Sequence, residues 1–165
     1  MNEESEKYFL ELLGKNQKII HKICRIYSSD EEEYKDLFQE IVIQLWKSYK
    51  SFKGESKFTT WMYSVSLNTA MALFRKNKKT KMSVNISLIE EKITYNDVDD
   101  DEEVKLKKMY CAIYLLNDVD KALIMMYLDD MNYSEISNIL GITEINARVK
   151  MNRAKNKLKQ LIKCK

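Results

Sequence analysis

The sequence predicts an all-α protein: two small helical domains joined by a flexible acidic linker. Three observations carry this expectation. The 165-residue chain has no Pro and only three Gly, Gly14, Gly54 and Gly141, too few turn residues for a β-rich fold. Apolar residues recur three and four positions apart over long stretches, the period of helices that bury one face. Charge is also segregated. Five of the seven residues from Arg75 to Lys81 are basic, Thr143 to Lys165 carries eight bases against the single acid Glu144, and Glu90 to Glu103 holds eight acids against the single base Lys92. The net charge of +3 thus conceals two cationic segments suited to polyanion contact, with an anionic connector between them.

The first helix is expected over Glu3–Tyr27, with the stripe Phe9, Leu12, Leu13, Ile19, Ile20, Ile23 and Ile26 at helical spacing. Ser28-Ser29-Asp30 ends it, and Asp30 can cap the next helix, with Glu33 three residues on, the pattern of a capping box. That second helix carries Tyr34, Leu37, Phe38, Ile41, Leu45, Trp46 and Tyr49. A loop, Ser51–Ser56, leads to a third helix over Lys57–Lys76 that reads as apolar almost all round: Phe58, Trp61, Met62, Val65, Leu67, Met71, Leu73 and Phe74. One narrow stripe stays small or polar: Thr60, Ser64, Asn68 and, two turns on, Arg75. Such a row of hydrogen-bonding groups on a largely apolar helix is offered to a partner.

Residues 81–103 lack a sustained period and read as the linker, with a brief turn at Ser87-Leu88-Ile89. The second domain, 104–165, follows. Val104–Leu116 has the stripe Leu106, Met109, Ile113 and Leu116; Asn117 caps a helix with Leu123, Met126 and Tyr127 facing inward. Asn132-Tyr133-Ser134-Glu135 is a capping box that opens a short helix to Leu140. Gly141-Ile142 makes a tight turn, and Thr143 caps the last helix.

A short capped helix, a Gly turn, one apolar plug and a capped basic helix form the helix-turn-helix pattern. On the last helix Ala147, Met151, Ala154, Leu158 and Leu161 recur on one face, which leaves Ile145, Arg148, Val149, Asn152, Arg153 and Asn156 on the other. In a major groove Arg suits guanine, Asn suits adenine, and Ile or Val suits a thymine methyl. Lys150, Lys155, Lys157 and Lys159 suit phosphates, which orient without specifying.

Other chemistry finds little footing. Cys24, Cys111 and Cys164 are far apart with no CxxC, and His21 is the only histidine. No zinc site, disulfide framework, metal or cofactor is expected, and the thiols suit a reducing cytoplasm. No phosphate-binding Gly loop and no Cys/His or Ser/His pairing stands out, so no enzyme is expected. The acidic start MNEESEKYF has no apolar signal core, and no run is long enough to cross a membrane. A cytoplasmic protein without membrane insertion is the expectation, nucleoid-associated when active.

The runs DLFQEIVIQLWKSYKSFKGESKFTTWMYSVSLNTAMALFRK (Asp36–Lys76) and YSEISNILGITEINARVKMNRAKNKLKQLI (Tyr133–Ile162) together resemble the extracytoplasmic-function sigma factors of the sigma-70 family. The first is similar to their region 2 helical bundle (1–80 here) and the second to their region 4 helix-turn-helix. The resemblance implies a subunit that binds core RNA polymerase, recognises the minus-thirty-five and minus-ten promoter elements and helps to melt the latter. It implies that Asp36, Gln39 and Glu40 dock on the clamp coiled coil of the largest polymerase subunit, and that region 4 meets the flap of the second-largest. It implies that Phe52, Lys53, Gly54, Ser56 and Phe58, with Ser64, Asn68 and Arg75 on the following helix, capture the unpaired minus-ten strand. Lys57, Lys76, Lys78 and Lys79 would hold phosphates beside them, while Trp61 is mainly core. It assigns the minus-thirty-five contact to Thr143, Glu144, Ile145, Asn146, Arg148, Val149, Lys150, Asn152 and Arg153. The acidic linker would thread the polymerase's nucleic-acid channel; a solubilising tether is the competing reading. An anti-sigma factor is a further implied partner. Three departures from the family pattern stand out: Leu116-Asn117 replaces the usual Leu-Pro, Ser137 replaces a small apolar residue, and the recognition face carries Ile145, Val149 and Asn152 with few arginines, so the family's minus-thirty-five sequence is not carried over. Competing readings are a free-standing helix-turn-helix regulator that needs no polymerase, a nucleic-acid enzyme, and an adaptor without DNA contact.

Overall fold

The structure, a computed structural model, describes residues 3–80 and 109–163. The linker 81–103, the turn at Ser87–Ile89 and the first residues of the helix expected from Val104 lie outside the described residues. Contacts divide the chain into two compact units, Met1–Phe74 and Arg75–Lys165. Every regular element among the described residues is a helix: α1 (Glu3–Tyr27), α2 (Glu31–Tyr49), α3 (Phe58–Thr80), a helical stretch at 109–114, α4 (Asp118–Leu128), α5 (Tyr133–Leu140) and α6 (Glu144–Lys163).

In the first unit α1 packs on α2. Phe9, Ile20, Ile23 and Ile26 are buried as their spacing requires, and Cys24 and Tyr27 join them. Leu37, Ile41 and Leu45 form the facing stripe. The break between these helices is well capped. Asp30 accepts from the Glu33 backbone N–H at 2.8 Å, while the Glu33 carboxylate accepts from the Ser29 backbone N–H at 2.8 Å and the Ser29 hydroxyl at 2.6 Å. A carboxylate at this end also suits the helix dipole.

α3 corrects two expectations. It continues to Thr80, four residues past the expected end at Lys76: no Gly or Pro interrupts residues 77–80, and two of the four are Lys, a good helix former. It is also not apolar all round. Burial follows one face, Met62, Tyr63, Ser66, Leu67, Ala70 and Met71, while Phe58, Trp61, Val65, Leu73 and Phe74 are half-buried. Counting apolar residues overstates enclosure, since a ring can cover its neighbours and keep an edge outside.

The second unit is organised around α4, where every residue from Asp120 to Met126 is buried. Asn117 starts the helix by a different means from Pro: its side chain accepts from the Asp120 backbone N–H at 2.8 Å, a bond the Pro ring cannot make. The Asp120 carboxylate accepts from Asn117 Nδ2 and from Lys157 Nζ, each at 2.7 Å. The second contact ties α6 to α4. Lys121 is fully buried with its ammonium 4.1 Å from the centre of the Tyr114 ring, a cation–π arrangement that offsets part of the cost of desolvation. Tyr127 is 46% exposed, which corrects the inward placement read from its spacing. Lys155 Nζ lies 3.3 Å from its ring centre, so the ring lies beneath a cation instead of in the core.

Candidate nucleic-acid and polymerase interface

The helix-turn-helix is built by caps. Asn132 accepts from the Glu135 N–H at 2.9 Å, and Glu135 accepts from the Asn132 N–H at 3.1 Å, a closed capping box. α5 buries Ile136, Ser137 and Ile139. The buried Ser137 hydroxyl donates to the Ser134 carbonyl at 2.8 Å, so the polar substitution is satisfied within its own helix. Gly141 takes the left-handed conformation at φ 63°, ψ 37°, which costs a Cβ-bearing residue energy. The Ile142 N–H then closes on the Ser137 carbonyl at 3.0 Å. The Thr143 hydroxyl accepts from the Asn146 N–H at 3.2 Å, and α6 starts there.

α6 buries Ala147, Met151 and Ala154 against α4 and α5, with Leu158 and Leu161 half-buried. Thr143, Glu144, Ile145, Asn146, Arg148, Val149, Asn152, Arg153 and Asn156 are all exposed, and Lys150 is half-buried. The structure thus brings the expected residues onto one solvent-facing surface. Arg148 leans back towards α5: its guanidinium carbon is 4.6 Å from the Tyr133 ring centre and its Nη2 is 4.0 Å from Glu144. Of the lysines read as phosphate contacts, Lys157 is paired with Asp120 and Lys155 covers Tyr127. Sequence spacing cannot reveal such pairings, because the partners lie on another helix.

In the first unit the α2–α3 loop is an aromatic cluster. Phe52 lies 5.0 Å from Trp61, 6.0 Å from Phe58 and 6.3 Å from Tyr49, and Phe58 lies 5.4 Å from Trp61. All four rings are half-buried. Phe52 and Trp61, which the sequence reading divides into base contact and core, therefore occupy one shared surface. Lys53, Gly54, Ser56 and Lys57 are exposed, and Gly54 has φ 73°. Along α3, Ser64 is half-buried while Asn68 and Arg75 are exposed; Asn68 lies about 15 Å of helical rise beyond Phe58.

On α2, Asp36 and Gln39 are exposed and Glu40 is half-buried, accepting from Gln44 Nε2 at 2.7 Å. Ile43, 44% exposed, continues this face at i+3 and i+4. Sequence reasoning missed it, although its place off the Leu37, Ile41, Leu45 stripe was the available signal. Behind the face, His21 Nδ1 hydrogen-bonds the Tyr34 hydroxyl, and its ring stacks 4.9 Å from Phe38, so the single histidine joins α1 to α2. Burial pushes the Tyr34 phenol above its ordinary value and the Cys24 thiol up to about 12. Among the described residues no cluster of His, Cys, Asp and Glu could hold a metal ion, and no helix is long and apolar enough to cross a membrane.

Comparison with known proteins agrees with this arrangement. Sigma-70 region 2 matches residues 12–80, and Sigma-70 region 4 matches residues 107–158. The chain is 26% identical over 144 residues to the ECF RNA polymerase sigma factor SigM of Bacillus subtilis (strain 168), covering 86% of this chain and 87% of that one. It is 25% identical over 160 residues to the ECF RNA polymerase sigma-E factor of Escherichia coli (strain K12), covering 87% and 84%. Among solved structures its fold is similar to the sigma factor RpoE in complex with the anti-sigma factor NepR from Bartonella quintana, with a TM-score of 0.70 at 18% identity over 95% of this chain and 98% of that one. It is likewise similar to CnrH in complex with the cytosolic domain of CnrY, with a TM-score of 0.68 at 16% identity over 96% and 90%. A helical unit followed by a helix-turn-helix unit, each matched in this way, defines a transcription initiation factor that works with RNA polymerase. The chain belongs to the sigma-70 family of RNA polymerase sigma factors, in its extracytoplasmic-function group.

Proposed function

We propose the following division of labour for this sigma factor. The first domain, 1–80, docks on core polymerase through Asp36, Gln39 and Glu40 against the clamp coiled coil, and captures the minus-ten strand. The second, 104–165, meets the flap and inserts the first turns of α6 into the minus-thirty-five major groove, with 81–103 as tether. Ile145, Val149, Asn152 and Arg153 face base edges there; Thr143, Glu144, Asn146, Arg148 and Lys150 set the register. At the minus-ten element the Phe52 and Phe58 rings take an unstacked base, Gly54 gives the loop its turn, and Lys53, Ser56, Ser64, Asn68 and Arg75 hold the strand.

Energetics favour this assignment. Flipping a base costs a few kcal/mol, and stacking it on an aromatic ring returns about 1–3 kcal/mol. Capture of a few bases therefore brings melting near balance, without nucleotide hydrolysis and without a catalytic group in this chain. The working place of such a subunit is the cytoplasm, on the nucleoid when bound to promoters. The RpoE–NepR pairing supports an anti-sigma factor as a further partner.

The observation that carries the reading is the pairing, in one chain, of the region 2 and region 4 matches with an α6 face that is open from Thr143 to Arg153. Run-off transcription with the cognate core polymerase over genomic fragments tests it. Discrete start sites preceded by a shared pair of elements are expected, and Arg153→Glu removes them. Tight sequence-specific binding without core enzyme, and no start sites with it, would make the chain a free-standing regulator instead.

A further inference from the structure

We propose that Ile145 and Val149 form a methyl-reading step that recognises the C5-methyl groups of two thymines about two base pairs apart, while Arg148 positions the helix and does not read a base. This rests on the reading that α6 enters a major groove.

The exposure of these two side chains needs a cause. Ile145 is 76% exposed, more than any other large apolar side chain among the described residues, and Val149 is 45% exposed. Neither is there for the helix, since β-branched residues are poorer helix formers than Ala, Lys or Glu. Neither is there for the core, which α6 supplies through Ala147, Met151 and Ala154. They share a face at i and i+4, about 6 Å apart along the axis. Duplex DNA rises about 3.4 Å per base pair, so the two side chains span roughly two steps.

The surroundings fix the occupant. Arg148 and Arg153 are exposed on the same helix, with Lys150 half-buried beside them and the single acid Glu144 set against Arg148, and a rim of net positive charge around an apolar pair suits a polyanion that carries apolar groups. In the major groove the thymine methyl is the one apolar group that the four bases display. Stiff χ1 angles at Ile and Val hold their methyls in place, so little side-chain freedom is lost on contact.

Arg148 is the natural rival for base reading in this half of the helix. Its guanidinium lies over the Tyr133 ring at 4.6 Å and near the Glu144 carboxylate at 4.0 Å. Turned towards α5, it is directed at the groove's wall, where phosphates run. Asn152 and Arg153, one turn further on, remain for hydrogen-bonded readout.

The experiment uses holoenzyme assembled from the full chain and cognate core polymerase. A promoter library with a randomised minus-thirty-five region is selected by transcription, and each enriched thymine is then replaced by deoxyuridine, which removes the methyl alone. Two positions are expected to lose about fourfold each, the worth of one buried methyl group. Ile145→Ala should abolish the loss at one position and Val149→Ala at the other. Arg148→Ala should weaken all sequences alike and reduce the salt dependence. A wild-type holoenzyme indifferent to the methyls overturns the proposal, as does a deoxyuridine penalty that survives both alanine variants. Variants that lose core-polymerase affinity but keep the wild-type base preference would make the pair a protein contact, which also overturns it. Ile145→Thr, which keeps one branch methyl, guards against a folding artefact: it should retain part of the discrimination. A holoenzyme that enriches no sequence at all ends the underlying reading as well; one that enriches a promoter insensitive to its methyls ends this inference alone.

Discussion

The α2–α3 loop and the first turns of α6 both keep apolar groups at the surface, and they differ in kind. In the loop the groups are rings, Phe52, Phe58 and Trp61, half-buried and leaning on one another at 5.0–6.0 Å. On α6 they are the aliphatic Ile145 and Val149, which stand clear of the core. Under the proposed function the difference follows from the state of the DNA that each meets. A base taken out of the stack shows its π-face, which a ring covers best. A paired base hides that face and shows only its edge, where the apolar feature is a methyl group.

The largest expected effect tests whether the two surfaces are supported differently. Leu45 is fully buried on α2, the helix that leads into the loop, and Leu45→Ala should cost about 2–5 kcal/mol of stability, measured by urea denaturation. Val149→Ala, at a surface position, should change stability by no more than about 0.5 kcal/mol. Equal losses would make Val149 a core residue and break the comparison.

Next comes Phe52→Leu, which keeps apolar volume and removes the ring. Open-complex formation, read by permanganate reactivity of unpaired thymines, should fall by about 1–3 kcal/mol, the worth of one stacked base. If Leu replaces Phe52 without loss, apolar area alone suffices and the distinction between ring and aliphatic surface is lost.

A smaller effect concerns the two glycines with positive φ, Gly54 at 73° and Gly141 at 63°, one in each region. A Cβ added at either would meet nothing within 4 Å, so Ala acts through backbone strain alone, at about 1–2 kcal/mol. Gly141→Ala should show the whole of this in thermal melting, because the Ile142–Ser137 bond fixes the turn. Gly54→Ala sits in an exposed loop that can relax, and should show less. Asn at either position should cost less than Ala.

Much of this was legible in the sequence because caps and periods are local. Asp30, Asn117, Asn132 and Thr143 each accept the backbone N–H three residues on, as their residue types foretell, and the buried face of α6 follows its spacing. What escaped depends on partners far away in sequence. Tyr127 has helical spacing for the core but meets Lys155 at the surface. Lys157 has the composition of a phosphate contact but meets Asp120. His21 lacks any motif and finds Tyr34 and Phe38 on another helix. Period tells which side of a helix is buried; it does not tell which of several cations a buried carboxylate will choose.

The smallest effect near neutral pH belongs to Cys24, and it separates the buried side of the first unit from its working surface. Burial raises the thiol from an ordinary 9.0 to about 12, with a backbone hydrogen bond pulling weakly the other way. The folded state therefore holds the proton more tightly than the unfolded one. The stability linked to Cys24 is complete below pH 9, and it falls as pH rises from 9 towards 12 by at most about 1.4 kcal/mol per pH unit. Cys24→Ala should remove this component of the alkaline slope in denaturant melts, at the cost of a small cavity that lowers stability at every pH. At pH 8 the buried thiol should resist iodoacetamide until urea unfolds the unit. Rapid modification of Cys24 in native protein, read by mass spectrometry, would mean that α1 opens readily from α2, and the rings of the α2–α3 loop would then lack the fixed platform that strand capture demands.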